Sequence, residues 1–200
     1  MLMKKYTRIL LFAAMLILMF STVTAFGASS GSDKKMIKAR TGKFMKAAKN
    51  YNKKKLGQNI VSTSTYTFIS NPIGKAVRQM NKKHLKYSIG KITIKNQRAV
   101  VKVKVTYFDG YEIFKKAFKS TITWYSKNRK ATAAQINRKV YSYASAYYKK
   151  ASKSKYIKRA ALTIKMKHYD SGWLITSASD NYDKVVNGNY LKAYNAVFKK

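Results

Sequence analysis

The sequence predicts an α+β fold: a curved antiparallel sheet of about four strands, packed against an N-terminal helix and further helices. Two observations carry this expectation. Apolar and polar residues alternate over 87–107 and again over 156–177, each time around a short polar turn, which is the pattern of a half-buried hairpin. Before, between and after these hairpins the apolar spacing changes to that of a helix with one buried face.

The elements follow in chain order. Residues 1–27 read as a cleaved export signal: Lys4, Lys5 and Arg8 precede an uncharged run from Ile9 to Phe20, and Val23-Thr24-Ala25 or Ala25-Phe26-Gly27 offers the small residues that a signal peptidase accepts. Cleavage is expected after Ala25 or Gly27. The apolar run is too short for a membrane anchor, which needs roughly 20 residues. With Cys at 0, the chain also excludes disulfides and a lipid-modified cysteine. A Gly/Ser-rich linker is expected over 28–35, and a single domain over 36–200. Asp33 is placed to cap a helix whose apolar positions are Met36, Ile37, Phe44, Met45 and Ala48. The stretch 57–72 fits no clear period, and 74–85 suits a short basic helix.

The first hairpin is Tyr87–Lys95 and Ala99–Tyr107 around Asn96-Gln97-Arg98. Strand side chains alternate, so Ala99, Val101, Val103, Val105 and Tyr107 share an inner face while Lys102 and Lys104 point outward. Asp109-Gly110 ends the strand. Spacing over 111–125 suggests a helix, although Thr121 to Tyr125 also suits a strand. Thr132 and Gln135 have capping-box spacing and open a stronger helix, with Ile136, Val140, Tyr143, Ala144, Tyr147 and Ala151 on its apolar face. The second hairpin runs from Tyr156 to Tyr169 and from Trp173 to Ser177, turned by Asp170-Ser171-Gly172, with Lys165 and Lys167 outward. Asp180 and Asn181 start a closing helical region that Gly188 divides.

Taken in order, Tyr87-Ser-Ile-Gly-Lys-Ile-Thr-Ile, Ala99-Val-Val-Lys-Val-Lys-Val-Thr-Tyr-Phe-Asp109, Leu162-Thr-Ile-Lys-Met-Lys and Gly172-Trp-Leu-Ile175 resemble the nuclear transport factor 2-like, or cystatin-like, α+β roll. More narrowly, the chain resembles small exported Firmicutes domains of unknown function. The resemblance implies a sheet wrapped around the first helix, with a concavity able to form a pocket. It does not choose an activity, because such rolls include enzymes, ligand binders and dimerisation modules. Two departures matter: many exported relatives are lipoproteins with a Cys, and their surfaces are usually of mixed charge.

Charge is the strongest functional signal. Lys and Arg number 43 against 6 Asp and Glu, a net charge of +37. A genome rich in A and T raises Lys, but the same bias favours Glu, and Glu112 is the single Glu. Internal pairing therefore cannot neutralise the Lys, and a polyanionic partner is expected. With 36 Lys and 7 Arg, attraction is loose and salt-sensitive, because Lys is a hydrated point charge without the planar fork of Arg. Candidate contacts are the strand residues Lys102, Lys104, Lys165 and Lys167, the run Lys53-Lys54-Lys55, and the cluster Lys149, Lys150, Lys153, Lys155, Lys158 and Arg159, read as a loop.

The expected partner is an anionic cell-wall polymer such as teichoic acid, or an anionic membrane surface. Nucleic acid fits only without sequence specificity. The alternatives are a pocket-bearing small-ligand binder or enzyme on the same roll, and a cationic effector acting on membranes or extracellular nucleic acid. No catalytic residues, cofactor or metal site are expected: His84 and His168 alone cannot build a zinc site. Asp109, Asp170, His168 and Tyr169 are the one suggestive polar set, yet both Asp sit in turn sequences. Tyr141, Tyr143, Tyr147 and Tyr148 could stack on bases or sugars, but helical spacing assigns at least Tyr143 and Tyr147 to packing.

Overall fold

The two hairpins join into one antiparallel sheet, in the order in which their strands occur in the chain. The computed structural model describes residues 30–62, 69, 72–179 and 181–199. The expected export signal, most of the stretch 63–71 and Asp180 lie outside the described residues. The chain divides into two units, Met1–Met36 and Ile37–Lys200. Of the first, residues 30–36 are described and are helical.

Helix α1 is Ser30–Lys49. It begins three residues before Asp33, so Ser30 onward is helix where a linker is expected. Asp33 sits in the first turn instead of at the cap, where a carboxylate still complements the helix dipole. A five-residue turn, α2 (Lys53–Gly57), follows, with the Asn52 side chain accepting from the Lys55 amide at 3.0 Å. Helix α3 is Ile73–His84, the short basic helix expected there.

The strands are β1 (Lys86–Lys95), β2 (Arg98–Phe108), β3 (Ile157–Tyr169) and β4 (Gly172–Ala178). Val101, Val103 and Val105 of β2 are buried between Leu162 and Ile164 of β3 and the apolar residues of β1, as alternation requires. Between β2 and β3 the chain leaves the sheet for α4 (Tyr111–Ser126), α5 (Ala133–Lys150) and the single turn α6 (Lys153–Tyr156). The closing helices are α7 (Asn181–Val186) and α8 (Tyr190–Phe198).

The ambiguous segment 111–125 is helical because Ile113, Phe114, Ala117, Phe118 and Thr121 make one buried face at helical spacing. Buried Thr121 satisfies its hydroxyl on the Ala117 carbonyl, 2.8 Å away. The capping box on Thr132 and Gln135 is present. The buried stripe of α5 is Val140, Ala144 and Tyr148; Tyr143 and Tyr147 are half-buried at its margins.

Two cores result. One lies between the inner sheet face and Ile37, Phe44, Met45 and Ala48 of α1, closed by Tyr182, Val185 and Val186. The other packs α3, α4, α5 and α8 around Phe108, Phe114, Phe118 and Ala144. Tyr51 touches both cores and donates to Asn187 Oδ1 at 2.8 Å while accepting from the Ile69 amide at 2.7 Å. At the end of β2, Gly110 donates its amide to the Gly188 carbonyl at 2.9 Å. A Cβ on Gly110 would lie 2.8 Å from the Phe114 ring, so glycine is what allows this approach.

Candidate polyanion-binding surface

Register decides which cations share a face. On β2 the outward positions are Arg98, Val100, Lys102, Lys104 and Thr106; on β3 their partners are Lys167, Lys165, Thr163, Ala161 and Arg159. Pairing with β1 adds Lys95 opposite Arg98, Ser88 opposite Lys104 and Lys86 opposite Thr106. The outer face therefore carries Lys86, Lys95, Arg98, Lys102, Lys104, Arg159, Lys165 and Lys167, all exposed. None of the four strands contains Asp or Glu. Small residues separate the cations, and Lys102 Nζ donates to Thr163 Oγ1 across the strands at 2.9 Å.

One corner of this face is indented. A hollow of about 550 Å³ is lined by Lys86, Ser88, Lys104, Thr106 and Arg159, from three strands. Three cationic groups and two hydroxyls over one depression can hold a phosphate-like oxyanion by charge-assisted hydrogen bonds. Strands place such groups regularly, roughly 7 Å apart along a strand and about 4.8 Å between strands. The result is an extended array of cations across three strands.

The other candidate residues are distributed differently. Lys158 and Arg159, read as loop, lie in β3. As neighbours on a strand they point to opposite faces; Arg159 joins the outer face, and Lys158 is in register with buried Tyr107 at the inner side. Lys149 and Lys150 end α5 and are exposed. Lys153 is occupied by the structure itself: its ammonium donates to the carbonyls of Tyr148, of Lys149 at 3.3 Å and of Ala151 at 2.8 Å, and lies 4.4 Å from the centre of the Tyr148 ring. It neutralises the negative end of α5. Lys53, Lys54 and Lys55 are exposed on α2, in a helical turn of their own instead of trailing α1.

Sequence reasoning missed Lys86, Lys95 and Arg98. The alternation that selects Lys102 and Lys104 also marks Arg98, but Lys86 and Lys95 require the register. A shift between Ile89 and Ile92 displaces simple counting along β1.

The one suggestive polar set for catalysis is divided. Asp109 follows the end of β2 that pairs with Ile157, whereas His168, Tyr169 and Asp170 lie at the far end, beside Arg98. About ten residues of strand separate them, roughly 33 Å. Asp109 instead holds the α4 entry, accepting from the Tyr111 amide at 3.1 Å and from Asn189 Nδ2 at 2.8 Å. His84 meets the Tyr148 hydroxyl at 2.9 Å, and burial followed by Lys153, Lys83 and Lys86 pushes its pKa below the usual 6.5.

A third feature is apolar. Between α4, α5 and α8 runs a groove of about 240 Å³, lined by Phe118, Ile122, Tyr125, Val140, Tyr194 and Phe198 among others. Ile122, Tyr194 and Phe198 are 46%, 40% and 48% exposed, which is unusual for large apolar side chains gathered at one place.

No protein-family model matches this chain, and no curated protein matches it. Among solved structures it is similar to a candidate lipoprotein, YcdA, from Bacillus subtilis, with 18% sequence identity and a TM-score of 0.32. The match covers 84% of this chain and 50% of that one, so the chain spans about half the length of the structure it matches.

Proposed function

We propose that this protein is an exported, non-enzymatic domain that binds an anionic cell-surface polymer, such as teichoic acid, through the outer face of its sheet. The observation that carries this reading is a face of eight exposed cations on strands free of carboxylates. Binding of this kind draws on release of counterions from the polymer and needs no deep pocket. The Lys-dominated composition suits it, because the polymer's phosphates are met as point charges. The sequence pattern of residues 1–27 supports export. The α1 helix on the inner face of a four-stranded sheet supports kinship with the nuclear transport factor 2-like or cystatin-like roll.

The test is co-sedimentation of the full chain with purified cell walls, with and without teichoic acid, across roughly 50 to 500 mM salt. The expected result is teichoic-dependent pelleting at low salt and release at high salt. Replacing Lys102, Lys104, Lys165 and Lys167 together by Gln is expected to lower retention at least tenfold at low salt, at about 0.9 counterions released per phosphate contact. Unchanged retention of that variant would overturn the reading. A second reading, binding of a small apolar ligand, is favoured by the groove at Ile122, Tyr194 and Phe198. Its mark is salt-insensitive uptake of an apolar fluorescent probe, lost in Ile122→Asp.

A further inference from the structure

A second cationic hollow lies in the helical layer, at the end of the sheet where β3 begins, and shares no lining residue with the hollow on the sheet's outer face. It has a volume of about 740 Å³ and is bounded by α4, the end of α5 and α6. Lys116, Lys119, Lys150 and Lys155 stand exposed around it, with half-buried Lys115, and Glu112 is the one acidic residue among the described residues lining it. Two of these cations, Lys150 and Lys155, come from the cluster that the sequence singles out. The other three are supplied by one face of α4, at spacings that bring them together only when the segment is helical.

The hollow differs from the sheet face in being lined by rings as well as charge. Tyr147 and Tyr156 form part of its wall. Both are held in place: the Tyr147 hydroxyl shares a 2.8 Å hydrogen bond with Ser120 Oγ, and Tyr156 stacks on buried Phe108 with ring centres 5.4 Å apart. Lys116 Nζ already rests 4.7 Å from the centre of the Tyr147 ring. Ile113 and Ala151 complete an apolar floor.

Each part of this arrangement constrains the ligand. Five lysines against the single carboxylate of Glu112 leave a net positive field in one concavity, and an anion with several charges relieves their mutual repulsion better than a monovalent one. Fixed tyrosine rings over an apolar floor favour a flat or cyclic body, as in sites where rings stack amid basic residues. Room of this size exceeds what phosphate alone requires and suits a small organic ligand. We propose that the hollow is a binding site for a phosphorylated ring compound, a sugar or nucleoside bearing two or more phosphates, either free or as a unit of a polymer. This site is separate from the sheet face and stands or falls without it.

The experiment is calorimetric titration of the full chain at about 100 mM salt, where exposed charges are screened beyond roughly 10 Å. Three probes are compared: inorganic tripolyphosphate for charge alone, a nucleoside triphosphate for charge with a ring, and a short single-stranded oligonucleotide for the polymeric form. The expected result is saturable one-to-one binding of the nucleoside triphosphate, about tenfold tighter than tripolyphosphate. Tyr147→Ala is expected to abolish that tenfold advantage, and Tyr147→Phe to keep it. The double variant Lys116→Gln, Lys150→Gln changes only exposed side chains and is expected to weaken both anions about tenfold or more.

Replacing Lys102, Lys104 and Lys165 by Gln leaves these titrations unchanged, so a failure here is distinct from a failure of polymer binding on the sheet. Equal affinity for the two triphosphates overturns the proposal, as does undiminished binding in the double lysine variant. Relative affinity for nucleotide and oligonucleotide identifies whether the natural source is free or polymeric.

Discussion

His84 shows how a single side chain is committed by its surroundings. It is a member of the basic run at the end of α3, yet it bonds to Tyr148 and packs 5.2 Å from the Phe108 ring. Burial and neighbouring lysines keep its folded pKa below the 6.5 of an ordinary histidine. The unfolded chain thus takes up this proton more readily, so the contribution is fully present above about pH 6.5 and is lost as pH falls towards the folded value. Thermal unfolding followed between pH 8 and pH 5 is expected to show a decline in wild type that is smaller in His84→Gln. Lys153 is committed in a similar way. Its ammonium serves the α5 C-terminus, so Lys153→Gln is expected to lower stability by about 0.5 kcal/mol while leaving polymer retention unchanged. A loss of retention without a loss of stability would reverse this assignment.

The hairpin turn between β1 and β2 carries a local cost. Asn96 and Gln97 have φ of 47° and 58°, the left-handed pair of a tight hairpin turn. Asn tolerates this conformation well, but Gln does not, and glycine is the preferred second residue. Gln97→Gly is therefore expected to stabilise the protein by roughly 0.5 kcal/mol or more, read as a rise in melting temperature. The capping box of α5 predicts the opposite sign. Thr132 accepts the Gln135 amide and Gln135 accepts the Thr132 amide at 2.7 Å, so Thr132→Ala is expected to cost about 1 kcal/mol in chemical denaturation.

Across the entire chain, a net charge of +37 acts on folding and on binding in opposite ways. Self-repulsion opposes the compact state, and salt screens it. Salt also competes with a polyanion for the same cations. Raising ionic strength is thus expected to raise the melting temperature while lowering polymer affinity. A melting temperature independent of salt would mean that self-repulsion among the cations does not limit stability. Distribution matters as much as total: the sheet presents a regular, flat array, and the helical layer gathers five lysines around tyrosine rings in a hollow. A flat array suits a long polymer, whereas a concavity suits a compact ligand.

Local chemistry was enough to read the hairpins, their inward valines, the capping box and the outward Lys102, Lys104, Lys165 and Lys167. Each depends on residues near in sequence, through alternation, turn preference or helical spacing. The same information left 111–125 open between helix and strand, because Thr, Ile, Trp and Tyr satisfy both periods until the packing of Phe114 and Phe118 against α8 favours one. It also grouped Lys149 to Arg159 as a single cluster. The fold divides that cluster among a helix end, a hollow and both sides of a strand. Strand register brought Lys86 and Lys95 onto the outer face beside Arg98, and helix packing brought Lys115, Lys116 and Lys119 to Lys150 and Lys155. Composition dictates how much positive charge the chain carries, but which charges act together depends on contacts between segments distant in sequence, and these exist only in the folded structure.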